Sequence, residues 1–390
     1  MRRPLRLENT VQRYAWGSRD AIPQLIGASG DGEPWAELWL GAHPRAPSRA
    51  AGGMPLNRLI DAQPDELVGA RVTAAFGPRL PFLFKILAAA RPLSIQCHPD
   101  SEQARDGFAR ENRRGVPLDA ADRSYRDDSH KPELIAALAR FEALVGFREP
   151  SAIRARLAGV APRALAGEIP LLDRPGDGLA AFFAALMRLP AERCRALVAE
   201  AASSLAADPG RDAAWVRRLA ADFPADPGVL APLLLHHVEL AADQALFLGP
   251  GLLHTYLEGT GLEIMASSDN VLRGGLTDKH VDVDELCALL RFESQVPEVL
   301  RPESGDGRLY EYRAPAREFR LGFVDLDAGP YELAAPGPAI ALCLGGRCQV
   351  SAARSVGLEL TRGQSAFLPA ALEAVRFDGS GRVYLATVPG

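Results

Sequence analysis

The hydrophobic pattern of the first 150 residues is that of short strands separated by Pro and Gly turns. Two apolar runs, PFLFKILAAA (81–90) and PLSIQCH (92–98), meet at Arg91-Pro92 and are predicted to form paired strands. Asp100, followed three residues later by Gln103, has the spacing of a capping box. We therefore expect DSEQARDGFAR to begin the one helix of this part of the chain.

Residues 151–238 have a different pattern, in which apolar positions recur three or four residues apart, as in ERCRALVAEAASSL. This spacing predicts several short helices, the last of them in APLLLHHVEL, where His236 and His237 are assigned a structural role. Strand patterns return in ALFLGPGLLHTYLEG (245–259) and GLEIMAS (261–267). From about residue 305, alternating runs between turns predict a second β-sandwich or barrel.

Polar side chains interrupt the predicted strands in three places. In LSIQCH (93–98), alternation directs Ser94, Gln96 and His98 to one face of the strand and the apolar side chains to the other, which faces the core. The polar face either lines a cavity or contacts solvent. In HKPELI (130–135), Lys131 and Glu133 share a face; they are either a surface ion pair or part of a strand that enters the core.

The third segment begins with a Pro-Gly turn before His254 and continues through Glu263 to the glycine-rich loop SDNVLRGG (268–275). A lone histidine after such a turn is more often a hydrogen-bonded core residue than a ligand. Arg273 in the loop and Lys279 beyond it could together clamp a phosphate group. The chain contains none of the patterns GxxxxGK[ST], GxSxG and HExxH.

Composition limits the function without identifying it. With 390 residues, 47% of them hydrophobic, the chain can form two or three domains, and a net charge of −5 gives no sign of a nucleic-acid or membrane partner. No apolar run approaches the roughly 20 residues of a spanning helix. The N-terminal segment lacks the apolar region of a signal peptide, and five cysteines occur without CxxC spacing, so we expect a cytoplasmic protein with reduced thiols.

Lysine is rare in this chain. Lys85, Lys131 and Lys279 are the only lysines among 44 basic residues, and each falls in a segment already singled out. We interpret them as positions that require a compact ammonium group, although a strongly biased chain would also retain a few by chance.

Five blocks of the sequence resemble the type I phosphomannose isomerases, in the order in which that family has them. They are WAELWLGAHPRAPS (35–48), FLFKIL (82–87), LSIQCHPD (93–100), HKPELIAAL (130–138) and GTGLEIMASSDNVLRGGLTDKHVDV (259–283). The resemblance extends over nearly the whole chain, and SDNVLRGGLTDK together with QxHPD is its most specific part. Two departures, Cys97 in place of a small residue and Leu253 in place of Pro, do not affect the implied ligands.

The resemblance implies a mainly β fold with two cupin-type jelly-roll domains (a bicupin) and an inserted helical domain. We expect residues 1–150 and 239–304 to form the catalytic cupin domain, 151–238 the insertion and 305–390 a C-terminal cupin-like domain. No histidine lies beyond His280, so the C-terminal domain is assigned a structural role. The implied cofactor is one Zn²⁺ per chain, held by Gln96, His98, Glu133 and His254 in an open site with net charge +1.

The implied reaction interconverts mannose 6-phosphate and fructose 6-phosphate through a cis-enediol. Zinc would fix the O1/O2 end of the sugar, and Arg273 would supply positive charge beside the enediolate or the phosphate. Glu263, Lys131 and His130 are candidates for proton transfer, with Asp269 to orient one of them. The expected substrate and phosphate contacts come from Lys85, Ser94, Lys279 and Tyr256.

Two other classes of protein remain as alternatives. One is an enzyme on the same scaffold that acts on an unphosphorylated sugar; the other is a cupin that binds sugar without catalysis. The three lysines and Arg273 favour a phosphorylated substrate, and the complete acid–base and ligand set favours an enzyme. The expected partner is a small sugar phosphate, with no nucleic acid and no membrane, bound by a monomeric chain.

Overall fold

Antiparallel strands form three sheets in the computed structural model, which describes residues 2–50, 52–353 and 357–390. Strands account for 30% of the chain and helices for 29%. The strands are β1 (Leu5–Glu8), β2 (Thr10–Gln12), β3 (Glu37–Leu40), β4 (Arg49–Ala50), β5 (Phe82–Ala89), β6 (Gln96–Cys97), β7 (Glu133–Phe147), β8 (Leu235–Leu240), β9 (Ala245–Leu248), β10 (His254–Ala266), β11 (Leu272–Arg273), β12 (Val299–Leu300), β13 (Glu303–Ser304), β14 (Leu309–Glu311), β15 (Arg320–Asp325), β16 (Tyr331–Ala334), β17 (Ala339–Cys343), β18 (Arg347–Ala352), β19 (Leu358–Thr361), β20 (Ser365–Leu368), β21 (Ala374–Ser380) and β22 (Arg382–Thr387).

Most helices lie before β5 or between β7 and β8. They are α1 (Ala21–Ile26), α2 (Leu56–Ala62), α3 (Pro64–Leu67), α4 (Ala70–Phe76), α5 (Ser101–Arg113), α6 (Pro150–Val160), α7 (Gly178–Met187), α8 (Ala191–Ser204), α9 (Arg211–Asp222), α10 (Ala231–Leu234) and α11 (Val283–Leu289). Short 3₁₀ helices occupy Arg163–Leu165, Ile169–Asp173, Pro227–Leu230 and Leu326–Ala328. No helix of the described residues is long and apolar enough to cross a membrane.

The largest sheet carries the residues singled out above. Its ten strands include the order β12-β9-β7-β10-β5-β3-β2, to which β6, β8 and β11 are attached. Strand β5 is buried along its whole length, as its continuous apolar sequence predicts for a strand covered on both faces. Within this run Lys85 is a buried charge, and its register partners are Glu263 on β10 and Trp39 on β3.

The C-terminal strands form a sandwich of two sheets. Eight strands in the order β13-β14-β15-β22-β17-β20-β1-β4 face the four-stranded sheet β16-β21-β18-β19 across a common apolar core. This is the two-layer arrangement that the alternating pattern beyond residue 305 predicts. Strands β1 and β4 extend this sheet although they come from the first 50 residues, because β1 pairs with β20. A second core joins the eight-stranded and ten-stranded sheets.

Two predictions of local structure were wrong. His236 and His237 lie on strand β8, which pairs with β7, and not on a helix; only the single turn α10 precedes them. The first 150 residues contain α1 to α4 in addition to α5, each no longer than seven residues. Helices of one or two turns are too short for their periodicity to separate them from loops.

Helix α5 was predicted from its sequence, and the structure confirms it. The Asp100 carboxylate accepts hydrogen bonds from the backbone N–H groups of Glu102 and Gln103, while the Gln103 side chain accepts one from the Asp100 N–H. This capping box begins the helix directly after His98-Pro99. It thus fixes the direction in which the chain leaves the polar strand β6.

Candidate metal centre and anion-binding cavity

One end of the ten-stranded sheet opens into a cavity of about 1530 Å³. Strands β3, β5, β6 and β10 contribute to its wall, together with loops around residues 13–16, 118–126, 222–226 and 269–279. Of the residues predicted from the sequence, the lining contains Lys85, Ser94, Gln96, Lys131, Glu133, Tyr256, Glu263, Asp269, Arg273 and Lys279. Side chains from distant parts of the sequence therefore meet at one cavity.

A cluster of possible metal ligands lies at the cavity wall. His98, Glu133 and His254 each offer one ligand atom, and these three atoms lie within 4.8 Å of one another. His98 follows β6, Glu133 begins β7 and His254 begins β10, so three separate segments supply the cluster. All three side chains are buried.

Backbone carbonyls orient both imidazole rings of this cluster. Nδ1 of His98 lies 2.8 Å from the Asn270 carbonyl oxygen, and Nδ1 of His254 lies 2.9 Å from that of Leu252. A carbonyl oxygen only accepts, so each Nδ1 carries a proton and each Nε2 presents a lone pair. Carbonyls that hold the outer nitrogen in this way are typical of metal-bound histidines.

The atoms that face the centre of the cluster lack hydrogen-bond partners. Nε2 of His98, Nε2 of His254 and Oε2 of Glu133 are buried, and none makes a hydrogen bond within the described part of the chain. A buried polar atom without a partner costs about 1–3 kcal/mol, so such atoms are rare unless they bind something. Two imidazole nitrogens and a carboxylate oxygen are suitable ligands for Zn²⁺, and the site fits such an ion.

The protonation states of the cluster also suit a metal ion. Burial lowers the pKa of His98 to about 4, aided by the nearby Lys131 charge, so its imidazole is neutral at pH 7. Burial opposes the ionised form of Glu133, but Lys131 and His98 outweigh it and lower the pKa of Glu133 well below its usual value. Neutral imidazoles and an ionised carboxylate are the forms that bind zinc.

Gln96 lies beside the cluster. On β6 it is the register partner of both His254 on β10 and Arg273 on β11, and its side chain lines the cavity. Ile95 and Cys97 on either side of it are buried in the core. The polar face predicted for this strand is therefore a cavity wall at Ser94 and Gln96, and not a solvated surface.

A second buried network lies next to the metal cluster. The Lys85 amine lies 2.8 Å from Oε2 of Glu263 and 3.3 Å from Oε1 of Glu37, and the Tyr256 hydroxyl donates to Oε1 of Glu263 at 2.9 Å. Burial raises the pKa of Glu263 in spite of Lys85, and burial with the Glu263 charge raises that of Tyr256 well above its usual value. Burial opposes the charge of Lys85, but the three carboxylates around it outweigh this effect and raise its pKa.

Lys131 contacts the metal cluster. Its amine lies 2.9 Å from Oε1 of Glu133, as the shared face of HKPELI predicts, and both side chains are buried. His130 points elsewhere: its Nε2 lies 2.8 Å from Oε1 of Glu318, a residue near the start of β15. The structure therefore brings Lys131 to the cavity and leaves His130 outside its lining.

Positive groups line the outer part of the cavity. Arg273 and Lys279 both face it, while Asp269 lies 3.0 Å from NH1 of Arg45 and 3.6 Å from Nε2 of His43. Burial, followed by the charge of Arg126, lowers the pKa of Arg273, and this cation forms no ion pair with an acid among the described residues. The arrangement suits an anionic ligand whose other end reaches the metal cluster.

The cavity lining includes residues that the sequence analysis missed, among them Glu37, Arg45 and Arg126. Glu37 had a detectable signal, because a charge in the otherwise apolar run WAELWL is unexpected in a buried strand. Arg45 and Arg126 lie in irregular loops, where no periodicity indicates which side chains face inward.

Comparisons with known proteins identify the family of this chain. Residues 5–150 match the model of the family described as phosphomannose isomerase type I, catalytic domain. The chain is 39% identical over 384 residues to mannose-6-phosphate isomerase of Escherichia coli (strain K12), covering 97% of this chain and 98% of that protein. It is 32% identical to mannose-6-phosphate isomerase 1 of Arabidopsis thaliana, with 95% and 90% covered.

Solved structures give the same result. The crystal structure of mannose 6-phosphate isomerase from Salmonella typhimurium bound to substrate and to zinc has a TM-score of 0.92 and 37% identity to this chain. The match covers 99% of this chain and 100% of that one. A zinc-bound mannose 6-phosphate isomerase structure gives the same TM-score, identity and coverage.

Proposed function

The chain belongs to the type I phosphomannose isomerase family and is a mannose-6-phosphate isomerase, and we propose that it interconverts mannose 6-phosphate and fructose 6-phosphate through a cis-enediol at one bound zinc ion. The observation that carries the proposal is the buried cluster of His98, Glu133 and His254, whose inward atoms lack partners, beside a cavity with unpaired cations. Gln96 completes the proposed ligand set. Bound zinc would supply Lewis acidity toward the O1/O2 end of the open-chain sugar.

Proton transfer is assigned to the buried network next to the cluster. In the proposal, a base removes the proton from C2 of the aldose while O1 gains one, which yields the cis-enediol. The same group then returns a proton to C1, while O2 loses its proton and the C2–O bond becomes a carbonyl. Glu263 and Lys131 are the candidates that line the cavity, and burial raises the pKa of Glu263 above its usual value.

The surrounding residues have supporting roles in this scheme. Lys85 and the Tyr256 hydroxyl hold the Glu263 carboxylate in place. Since Lys85 is already paired with two carboxylates, Arg273 and Lys279 are better suited to bind the phosphate, with Ser94 on the same wall.

Asp269 and His130 have indirect roles in the proposal. Asp269 orients Arg45 rather than the base, and His130 acts only through its link to Glu318.

The finer description of the fold is also a proposal. We assign residues 1–150 and 239–304 to a catalytic cupin domain, 151–238 to a helical insertion and 305–390 to a cupin-like domain, although β1 and β4 pair with the last of these. The five cysteines are all free thiols, which supports a reducing cytoplasm as the location. A monomer that binds a sugar phosphate, with neither nucleic acid nor membrane as a partner, completes the proposal.

A coupled assay with mannose 6-phosphate tests the proposed function. Activity should fall to background after chelation and return when zinc is added, because the ligand cluster is intact without the ion but has no Lewis acid. A panel with unphosphorylated mannose and other aldose phosphates identifies the substrate. A folded, zinc-loaded protein that turns over none of these sugars would contradict the proposal.

A further inference from the structure

Most cations of the cavity wall are already neutralised by acids. Eight basic residues line the cavity, and five of them form an ion pair with a carboxylate within 4.0 Å: Arg13, Arg45, Lys85, Arg91 and Lys131. The remaining three are Arg126, Arg273 and Lys279, which form no such pair with any described residue. Three cations without carboxylate partners on one cavity wall suit the binding of an anion.

The three unpaired cations lie close to one another. The charge of Arg126 lowers the pKa of Arg273, after burial, and it also contributes to lowering that of Lys279, after burial and Arg273. Asp278 lies near Lys279 without forming an ion pair. Like charges that line one cavity repel one another, and an anion bound between them would relieve this repulsion.

The loop that carries Arg126 is built rigidly. It connects α5 to β7, and the Arg123 side chain donates to the carbonyl oxygens of Tyr125 and Val116 within it. Glu111 of α5 accepts from the backbone N–H of Tyr125 at 2.8 Å. The Tyr125 ring packs directly over Gly107, where an added Cβ would lie 2.4 Å from the ring. The loop is therefore anchored to the helix along much of its length.

Among the described residues, the acceptors of the Arg126 guanidinium are backbone carbonyls. NH1 donates to the Leu118 carbonyl at 2.6 Å and NH2 donates to the Ala120 carbonyl at 3.2 Å. These neutral acceptors fix the direction of the side chain without cancelling its charge. A guanidinium has five N–H donors, so the others remain available to a ligand in the cavity.

Asn270 joins this loop to the metal cluster. Its Oδ1 accepts from the backbone N–H of Arg126 at 2.7 Å, and its Nδ2 donates to the carbonyl oxygens of Asp127 and Ser129. The backbone carbonyl of the same residue orients the imidazole of His98. One fully buried residue thus fixes both a metal ligand and the backbone of Arg126.

We propose that Arg126 is a specificity-determining residue that binds the phosphate group of the substrate together with Arg273 and Lys279. The inference rests on the proposed function, since it assigns a phosphorylated sugar to the cavity. A planar guanidinium fork matches the oxygens of a phosphate, and its attachment to the Asn270 loop sets its position relative to the metal cluster. Arg126 therefore distinguishes a sugar phosphate from the free sugar.

Arg126→Gln is the variant that tests this role, because an amide removes the charge but retains a polar side chain that can donate hydrogen bonds. Loss of one charged hydrogen-bonding group corresponds to a change of about 10-fold or more in affinity. We expect KM for mannose 6-phosphate and the inhibition constant of inorganic phosphate to rise together by about that factor. The change in kcat should be smaller, and Arg126→Lys should recover part of the loss.

Arg91→Gln is the matched control. It removes an arginine from the wall of the same cavity, but one that is paired with Asp222 at 3.0 Å. We expect its KM and phosphate inhibition to stay within about twofold of the unaltered protein. Circular dichroism and zinc content, measured on every variant, show whether a protein is folded and loaded.

Calorimetric titration with inorganic phosphate separates this inference from the proposed reaction. If the zinc-loaded protein isomerises no sugar but binds phosphate, and Arg126→Gln weakens that binding about 10-fold, the reaction is wrong and the anion site is supported. The unaltered protein could instead isomerise mannose 6-phosphate while Arg126→Gln has the same KM and phosphate affinity. That result would overturn the role of Arg126 and leave the proposed reaction standing. Equal effects of Arg91→Gln, or no phosphate binding by the unaltered protein, also overturn the role of Arg126.

Discussion

At the scale of single residues, the ligand atoms of the proposed metal centre form few hydrogen bonds with the protein. His98 and His254 use Nδ1 for a backbone carbonyl, while Nε2 makes no hydrogen bond with the described residues. These Nε2 atoms lie 3.3 Å and 3.6 Å from the two Glu133 oxygens, close enough for one ion to bind all three residues. Glu133 uses Oε1 for Lys131, and its Oε2 is buried without a hydrogen bond. Each free atom would be costly in a protein that bound nothing there, which is why the cluster is better explained by a cation than by packing.

Gln96→Ala tests the fourth proposed ligand. The substitution should leave the three-residue cluster intact but lower zinc affinity by at least about 10-fold. Loss of a residue that only orients a metal ligand already has an effect of about this size. Zinc content after dialysis against a graded series of chelator concentrations measures this.

Gln295→Ala serves as the control, because its amide donates only to Glu293 at 2.9 Å, away from the cavity lining. Zinc retention by Gln96→Ala equal to that of the control, with full activity, would remove Gln96 from the ligand set.

At the scale of elements, the capping box of α5 has a measurable consequence. Asp100→Ala removes the acceptor of two backbone N–H groups at the helix start, at a cost of about 1 kcal/mol. Hydrogen exchange of the Glu102 and Gln103 amides should therefore accelerate several-fold, while amides in the last turn change little.

Asp106→Ala is the matched control, since Asp106 is exposed in the middle of the same helix. In Asp106→Ala, the first-turn amides of α5 should exchange at the same rate as in the unaltered protein. Unchanged protection in Asp100→Ala would mean that packing, and not the cap, holds the start of α5.

The same elements show what the sequence could predict. Local rules identified α5, the strands around Lys85 and Gln96, and the shared face of Lys131 and Glu133, because each depends on spacing within a few residues. They failed for His237, since a strand of six residues after a single helical turn carries too little periodicity. Arg126 lay beyond such rules altogether, because contacts with residues far away in the sequence, such as Asn270 at 144 positions, bring its loop to the cavity.

At the scale of the whole molecule, buried polar contacts attach the helical segment to the ten-stranded sheet. Trp215 of α9 donates from Nε1 to Oε2 of Glu142 on β7 at 2.8 Å. His237 on β8 lies between two carboxylates, with Nε2 2.7 Å from Glu142 and Nδ1 3.3 Å from Asp212. Apolar residues of α6 to α9 complete this interface in a core shared with β7 and β10. Glu142 is thus the acceptor at which helix and sheet meet.

The stability that Glu142 contributes should depend on pH. Burial opposes its charge, but hydrogen bonds from Trp215 and His237 outweigh it and lower its pKa below the ordinary 4.5. A carboxyl group whose folded-state pKa is lowered stabilises the fold above its unfolded pKa, and this contribution is lost as pH falls through the folded pKa. The unfolding temperature of Glu142→Gln should therefore lie well below that of the unaltered protein at pH 7. The difference between the two unfolding temperatures should shrink below pH 4.5.

Glu239→Gln is the control for this comparison, because Glu239 is the register partner of Glu142 on β8 but is exposed and paired with Arg140 and Arg211 at the surface. Its removal should change the unfolding temperature little at any pH. Zinc content and KM should be unaltered in both variants, since neither side chain lines the cavity. A pH-independent deficit in Glu142→Gln would attribute the loss to packing and contradict the role given to its charge.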